Sequence, residues 1–266
     1  MNEASSPRTR VIAVANQKGG VGKTTTAINL ATALAACGKR VLIVDIDPQG
    51  NATTGVGVTR DQIAQTSYDV LIDGVDMASA IVATQVPHLS IVAGGVDLAG
   101  AELELAAALG REFRLRRALA PVAPSFEFIL IDCPPSLNLL TVNALAAANG
   151  VLVPLQCEYY ALEGLSQLMK TVDLVRGNIN ATLEIQGVVL TMYDKRNNLC
   201  DMVAADVRQH FGNKVYDTVI PRNVRLSEAP SHGKPALLYD LRCPGSQAYI
   251  QLAGEMLRRE LAEAAA

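Results

Sequence analysis

Residues 16–26, Asn16-Gln17-Lys18-Gly19-Gly20-Val21-Gly22-Lys23-Thr24-Thr25-Thr26, constrain the fold more than any other stretch. They follow an apolar, β-branched run, Val11 to Val14, and open a helical stretch, Ala27 to Ala36. A strand feeding a glycine-rich turn that feeds a helix makes an anion cradle. The glycines let successive backbone N–H groups converge without Cβ obstruction, and the helix adds the positive end of its dipole. In such a loop Lys23 is placed for the β- and γ-phosphates of a nucleotide and the Thr24 hydroxyl for Mg²⁺.

Lys18 is a second lysine, on the entry side of the loop. The string Lys-Gly-Gly-Val-Gly-Lys-Thr-Thr resembles the deviant Walker A motif of the ParA/MinD group of P-loop ATPases, whose signature lysine reaches across a dimer interface to the partner's nucleotide. That resemblance implies ATP and Mg²⁺ as cofactors and nucleotide contacts from Lys18 through Thr25: Lys18, Gly19, Gly20, Val21, Gly22, Lys23, Thr24 and Thr25.

The run Val41 to Asp47 is continuous and apolar, as in a parallel strand covered on both faces, and ends in two carboxylates. Asp45 and Asp47, two residues apart, share a face if the strand stays regular. Asp47-Pro48-Gln49-Gly50-Asn51 resembles the family's switch I, which implies that Asp47 orients the attacking water and meets the metal's water shell. Phe126 to Asp132 is another buried-strand run, stopped by Cys133-Pro134-Pro135-Ser136. It resembles Walker B and switch II, and implies that Asp132 binds Mg²⁺ through water.

Between and after these motifs the pattern alternates. Short helices are expected around Tyr68–Ile72 and Met77–Val82, a strand at Leu89–Val92, and an Ala-rich helix capped by Asp97 and carrying Leu98, Leu103, Leu105 and Leu109. Arg111, Arg114, Arg116 and Arg117 read as a solvated helix face. Strands follow at Val151–Leu155 and Leu183–Met192. Helices follow to Val175, through Met202, Val203, Val207 and Phe211, and from Gln247 to Ala266. The expected architecture is α/β: a single domain built on a mostly parallel, twisted sheet flanked by helices, a P-loop NTPase with a deviant Walker A. It occupies residues 11–264, behind a disordered lead-in at 1–10.

At 266 residues the chain can bury one large core. No run reaches the length of a membrane span, and residues 1–10 lack the apolar segment of a secretory signal. Five scattered cysteines form no Cys-x-x-Cys pair, which points to a reducing cytoplasm and away from a metal or iron–sulfur cluster. A net charge of −3 provides no global attraction to nucleic acid, so any DNA binding needs a local patch.

Resemblance over residues 10–250 identifies the chain with chromosomal ParA/Soj partition ATPases. It implies that Pro221, Arg222 and Asn223 pack near adenine, and that Arg196 and Arg225 contact DNA phosphate with Lys195 beside them. Arg208, Lys214 and Lys234 are possible extensions of that patch. Lys18, Gly19 and Glu158 fall at the dimer face. The implied protein is an ATP-dependent homodimer that binds double-stranded DNA without sequence preference, works with a ParB-like partner and is nucleoid-associated. A MinD-like membrane-positioning ATPase is the alternative, but the tail, Met256 to Ala266, has too little apolar area for that role. The absence of a long N-terminal extension reads as the short form, without an operator-reading helix-turn-helix domain.

Overall fold

The computed structural model describes residues 9–158 and 161–265. Seven strands form one sheet: β1 (Arg10–Val14), β2 (Val41–Asp45), β3 (Ile81–Ala83), β4 (Leu89–Val92), β5 (Phe128–Asp132), β6 (Gly150–Gln156) and β7 (Glu184–Thr191). Their order is β3-β4-β2-β5-β1-β6-β7, and every pairing is parallel except β3 with β4. Of the expected lead-in, residues 1–8 lie outside the described residues. Thr9 and Arg10 belong to the fold: the Thr9 hydroxyl donates to the Ala123 and Phe126 carbonyls, and Arg10 opens β1.

The helices are α1 (Lys23–Ala36), α2 (Asn51–Gly55), α3 (Met77–Ala80), α4 (Leu98–Ala106), α5 (Arg114–Leu119), α6 (Leu139–Ala147), α7 (Ala161–Asn178), α8 (Asn198–Phe211), α9 (Val224–Glu228), α10 (Ala236–Tyr239) and α11 (Pro244–Ala265). Because strand side chains alternate, the apolar runs supply two cores at once. Ile12, Val14, Ile43 and Leu130 join one core with Leu30 and Leu34 of α1 and Leu252 and Met256 of α11. Val11, Ala13, Leu42, Val44, Ile129 and Ile131 join the other, with Leu98, Leu115, Leu140, Leu165 and Val203 from α4 to α8.

Several local expectations are corrected. α1 begins at Lys23, four residues earlier than the apolar pattern suggests, because Gly22 turns left-handed (φ 89°) and releases the helix at once. The stretch from Met77 divides: Asp76 caps α3, and the chain then extends at Ile81 into β3. Asp97 precedes α4 without capping it through its side chain. Leu109 lies beyond that helix, and both Leu103 and Leu109 are exposed. Of the expected face of arginines, Arg111 pairs with Glu112 and the Ala106 carbonyl while Arg114 turns toward the carbonyls of Leu71 and Ile72.

Both margins of the sheet are blunted. The three-residue, antiparallel β3 ends one side. On the other, the chain after α8 lays parallel bridges onto the β7 side, Val188 to Val215 and Tyr193 to Pro221. Register aligns the strand tips that matter: Val14 and Asp45 each lie opposite Asp132. The loops leaving β1, β2 and β5 therefore converge at one end of the sheet, where ligands of such folds sit.

Candidate nucleotide site

The loop from Asn16 to Gly22 is shaped by its own polar groups. Asn16 donates to the Pro154 carbonyl at 2.7 Å and accepts from the Lys18 amide at 3.0 Å, tying the loop's entry to β6. The Thr191 hydroxyl at the tip of β7 donates to the Val21 carbonyl at 2.8 Å. Gly20 and Gly22 adopt φ of 75° and 89°, which side-chain-bearing residues rarely reach. At Gly19, by contrast, an added Cβ would meet none of the described residues within 4 Å.

The two lysines separate cleanly. Lys23 is 6% exposed, and its ammonium donates to the Lys18 carbonyl at 3.0 Å across the loop. Burial lowers its pKa from the ordinary lysine value, while the neighbouring Asp132 works the other way. The Lys18 side chain is 41% exposed, projects outward and is ion-paired with Glu158 of the same chain. Glu158, expected at the dimer face, here lies beside the Lys18 of its own chain. Tyr159 and Tyr160, which follow it, fall outside the described residues.

Three carboxylates cluster at the tips of β2 and β5. The expectation that Asp45 and Asp47 share a strand face fails, because β2 ends at Asp45. Asp45 Oδ1 accepts from the Asp47 amide at 3.2 Å, a local side-chain turn that bends the chain out of the strand. Asp47 repeats the device by accepting from the Gln49 amide at 3.0 Å. The other Asp45 oxygen accepts from the Thr53 amide and hydroxyl at 2.9 and 2.8 Å, and that hydroxyl accepts from the Gly94 amide. Asp45 therefore fixes α2 and the 93–95 turn, a role its position alone did not suggest.

Asp132 is fully buried, and among the described residues no hydrogen bond of ordinary length and angle reaches either of its carboxylate oxygens. Burial and then the charge of Asp45 push its pKa well above the usual carboxylate range; Thr24 and Lys23 act in the opposite sense. Burial likewise pushes Asp45 up to about 6 against its hydrogen bonds from Thr53. A buried carboxylate with no partner is costly unless a cation completes it. Thr24, Asp132 and the nearly buried Asp47 suit Mg²⁺, which takes oxygen ligands and keeps part of its water shell. Among the described residues no group of three or more His, Cys, Asp or Glu could hold a metal by itself, so such a cation would be shared with nucleotide phosphates.

Beside Gly22 and Thr25 opens a cavity of about 270 Å³, lined in part by Pro221, Arg222 and Asn223, the residues expected near adenine. Asn223 also caps α9 by accepting from the Arg225 amide at 3.0 Å. Sequence reasoning missed three further walls: Thr191, Met192 and Tyr249. Met192 is held at φ 50°. Tyr249, on α11, shares a 3.1 Å hydrogen bond with Thr26 of α1, a contact spanning 223 positions that no local pattern signals.

The expected DNA contacts lie next to this cavity. The Arg222 amide donates to the Tyr193 carbonyl at 3.0 Å, so the loop bearing Lys195 and Arg196 runs beside the segment leading to Arg225. Arg196 is 88% exposed and forks onto Asp194, while Arg225 pairs with Glu228 at 2.7 Å and Asp240 at 3.5 Å. Arg208 and Lys214, proposed as extensions, are not brought there. They lie with Arg259 around a separate cavity, and Lys214 is 3.9 Å from Glu184 at the opposite end of β7.

A family model described as AAA domain matches residues 9–185. The chain is 62% identical over 253 residues to chromosome partitioning protein ParA of Caulobacter vibrioides, covering 94% of this chain and 95% of that one. It is 56% identical over 247 residues to sporulation initiation inhibitor protein Soj of Bacillus subtilis, covering 93% and 98%. Among solved structures it is similar to a cobyrinic acid a,c-diamide synthase from Mycobacterium smegmatis with bound ADP and magnesium, at TM-score 0.84 and 38% identity over 96% of each chain.

Proposed function

We propose, because this chain belongs to the ParA/Soj family of chromosome-partitioning ATPases, that it is an ATP-gated dimer that grips DNA and hydrolyses ATP slowly until a partner accelerates it. The observation that carries the reading is the division between the two lysines: Lys23 turns into the loop and Lys18 turns out from it. Lys23 would neutralise the chain's own nucleotide, with backbone amides of Gly19 to Thr25 around the phosphates. Lys18 would serve the nucleotide of a second copy. A second cation matters most while the γ-phosphate is present, so ATP favours the face-to-face dimer and ADP does not.

Mg²⁺, when bound, would be held by Thr24, Asp132 and Asp47, directly or through water, and would offset charge on the β- and γ-phosphates. Asp47 would orient the water that attacks the γ-phosphorus as its bond to the bridging oxygen breaks, releasing ADP and phosphate. Pro221, Arg222 and Asn223 would hold the base in the adjoining cavity. Gly19 supports placement at a dimer face, since a Cβ there meets none of the described residues within 4 Å.

Dimerisation doubles the patch of Lys195, Arg196 and Arg225. Phosphate contacts then combine steeply, because the second set is held at high effective concentration. Family membership supports the further reading: sequence-nonspecific binding to the nucleoid, stimulated hydrolysis by a ParB-like centromere-binding protein and movement of chromosomal or plasmid origins. Among the described residues no helix is long and apolar enough to cross a membrane. The decisive experiment measures mass in solution with ATP, ADP or no nucleotide, with and without duplex, for wild type and Lys18→Ala. A wild-type protein that stays monomeric with ATP in both settings overturns the reading.

A further inference from the structure

Two of the three cations expected at DNA are already engaged: Arg196 forks onto Asp194, and Arg225 pairs with Glu228 and Asp240. A different surface holds cations without carboxylates. An open groove of about 820 Å³ runs between the chain after α2, the β3–β4 turn and the segment that follows α9. Arg60, His232 and Lys234 line it, all exposed, together with the hydroxyls of Thr54, Thr59 and Ser231. Among the described residues no Asp or Glu lines it, in a chain of net charge −3. Neither Arg60 nor Lys234 has an ion-pair partner among the described residues.

The groove is built rather than incidental. Gly57 and Gly233 meet at its floor: a Cβ on Gly57 would stand 2.4 Å from the Gly233 carbonyl oxygen. Gln85 donates to that same oxygen at 2.8 Å. The groove is also continuous with the expected DNA face through one aromatic ring. The Arg225 guanidinium lies 5.9 Å from the centre of the Tyr239 ring, and His232 stacks against that ring at 4.9 Å.

We infer that this groove is a second phosphate-contact surface for the duplex engaged by Arg225, with Arg60 and Lys234 as its charged contacts. The inference rests on the DNA-binding reading above and adds to it the path of the backbone past Tyr239. Cations without carboxylate partners suit the spaced charges of a phosphodiester backbone and read no base.

The test is duplex affinity against salt concentration, with a hydrolysis-resistant ATP analogue, for wild type and Arg60→Ala/Lys234→Ala. At ~0.1 M salt the double variant should bind on the order of tenfold or more weakly, on every duplex sequence alike. Its salt slope should be shallower by about two for each protomer engaged, near 0.9 per lost phosphate contact. Arg60→Lys/Lys234→Arg should restore the slope. Ser231→Cys in a Cys37→Ser background, carrying a photo-crosslinker on the sulfur, should crosslink duplex in the presence of the ATP analogue and leave both cations intact. A wild-type slope in the double variant, or no crosslink from position 231 while the protein binds DNA, overturns the inference. An acidic peptide that occupies the groove and leaves duplex affinity unchanged does so as well. If wild type binds no duplex with ATP, the DNA-binding reading itself falls, and this inference with it.

Discussion

Glu158→Gln tests whether the resting chain restrains its own signature lysine. In the structure the Lys18 ammonium is held by Glu158, at side-chain exposures of 41% and 35%. For Lys18 to reach a partner's nucleotide, that pair must part or be remade across the interface. An ion pair this open to solvent contributes only about 0.2–1 kcal/mol after screening. Each dimer releases two, so removing the restraint should favour association by about 0.4–2 kcal/mol, roughly a two- to thirty-fold tighter dissociation constant. Gln keeps the shape and removes the charge, which leaves packing at the end of β6 little changed. Sedimentation equilibrium with a hydrolysis-resistant ATP analogue reads the constant directly, and the same protein with ADP is the control. The gain should shrink as salt rises. A dimer weaker than wild type would refute the argument, because Glu158 would then be worth more across the interface than it is beside Lys18.

Other outcomes follow from the same site. Gly19→Val should leave nucleotide affinity of the monomer near wild type while lowering ATP-dependent dimer mass, since an added Cβ meets none of the described residues within 4 Å; unchanged dimerisation would remove Gly19 from the interface. Lys23→Gln should abolish measurable nucleotide binding by calorimetry, because it deletes the buried cation of the loop. Asp45 is held up at about 6 by burial, so the folded chain keeps a proton that the unfolded chain loses from about pH 4. Stability from this group is therefore present at low pH and lost as pH rises through about 6, on the order of 2–3 kcal/mol in all. Urea denaturation of the nucleotide-free protein should show the difference between wild type and Asp45→Asn changing over that window, and a pH-independent difference would contradict it. Cys37 is exposed and the other four cysteines are buried, with the Cys157 thiol pushed up to about 12 by burial. Ellman's reagent should titrate one thiol promptly in the native protein and all five after unfolding.

The features legible from the chain alone were those encoded locally. The phosphate loop combines three glycines, two lysines and two hydroxyls in eight consecutive positions, and its left-handed turns leave few alternatives for those residues. The strands ending in Asp45 and Asp132 announce themselves as unbroken apolar runs, since both faces of a parallel sheet are covered. Features that depend on distant partners were hidden. Asp45 looked like a twin of Asp47 until Thr53 and Gly94 were seen to complete its hydrogen bonds. Tyr249 shapes the cavity from a helix near the other end of the chain. Counting eight bases against six acids over 186–245 could not reveal that Asp194 and Glu228 already hold two of the arginines. Nor could it place Arg208 and Lys214, which strand direction carries about a β7 length, roughly 25 Å, from the phosphate loop.

The treatment of the sheet's margins limits how copies of this chain can gather. Three residues running against their neighbour finish one flank, and the stretch from Val215 to Pro221 covers part of the other. Neither flank offers a long row of unmet amides and carbonyls, the feature through which proteins add strands and grow fibres. Crowding many molecules along a chromosome would then proceed through the loops at the strand tips and through the shared polyanion. On the function proposed above, an assembly of that kind would come apart when salt rises or the triphosphate is spent.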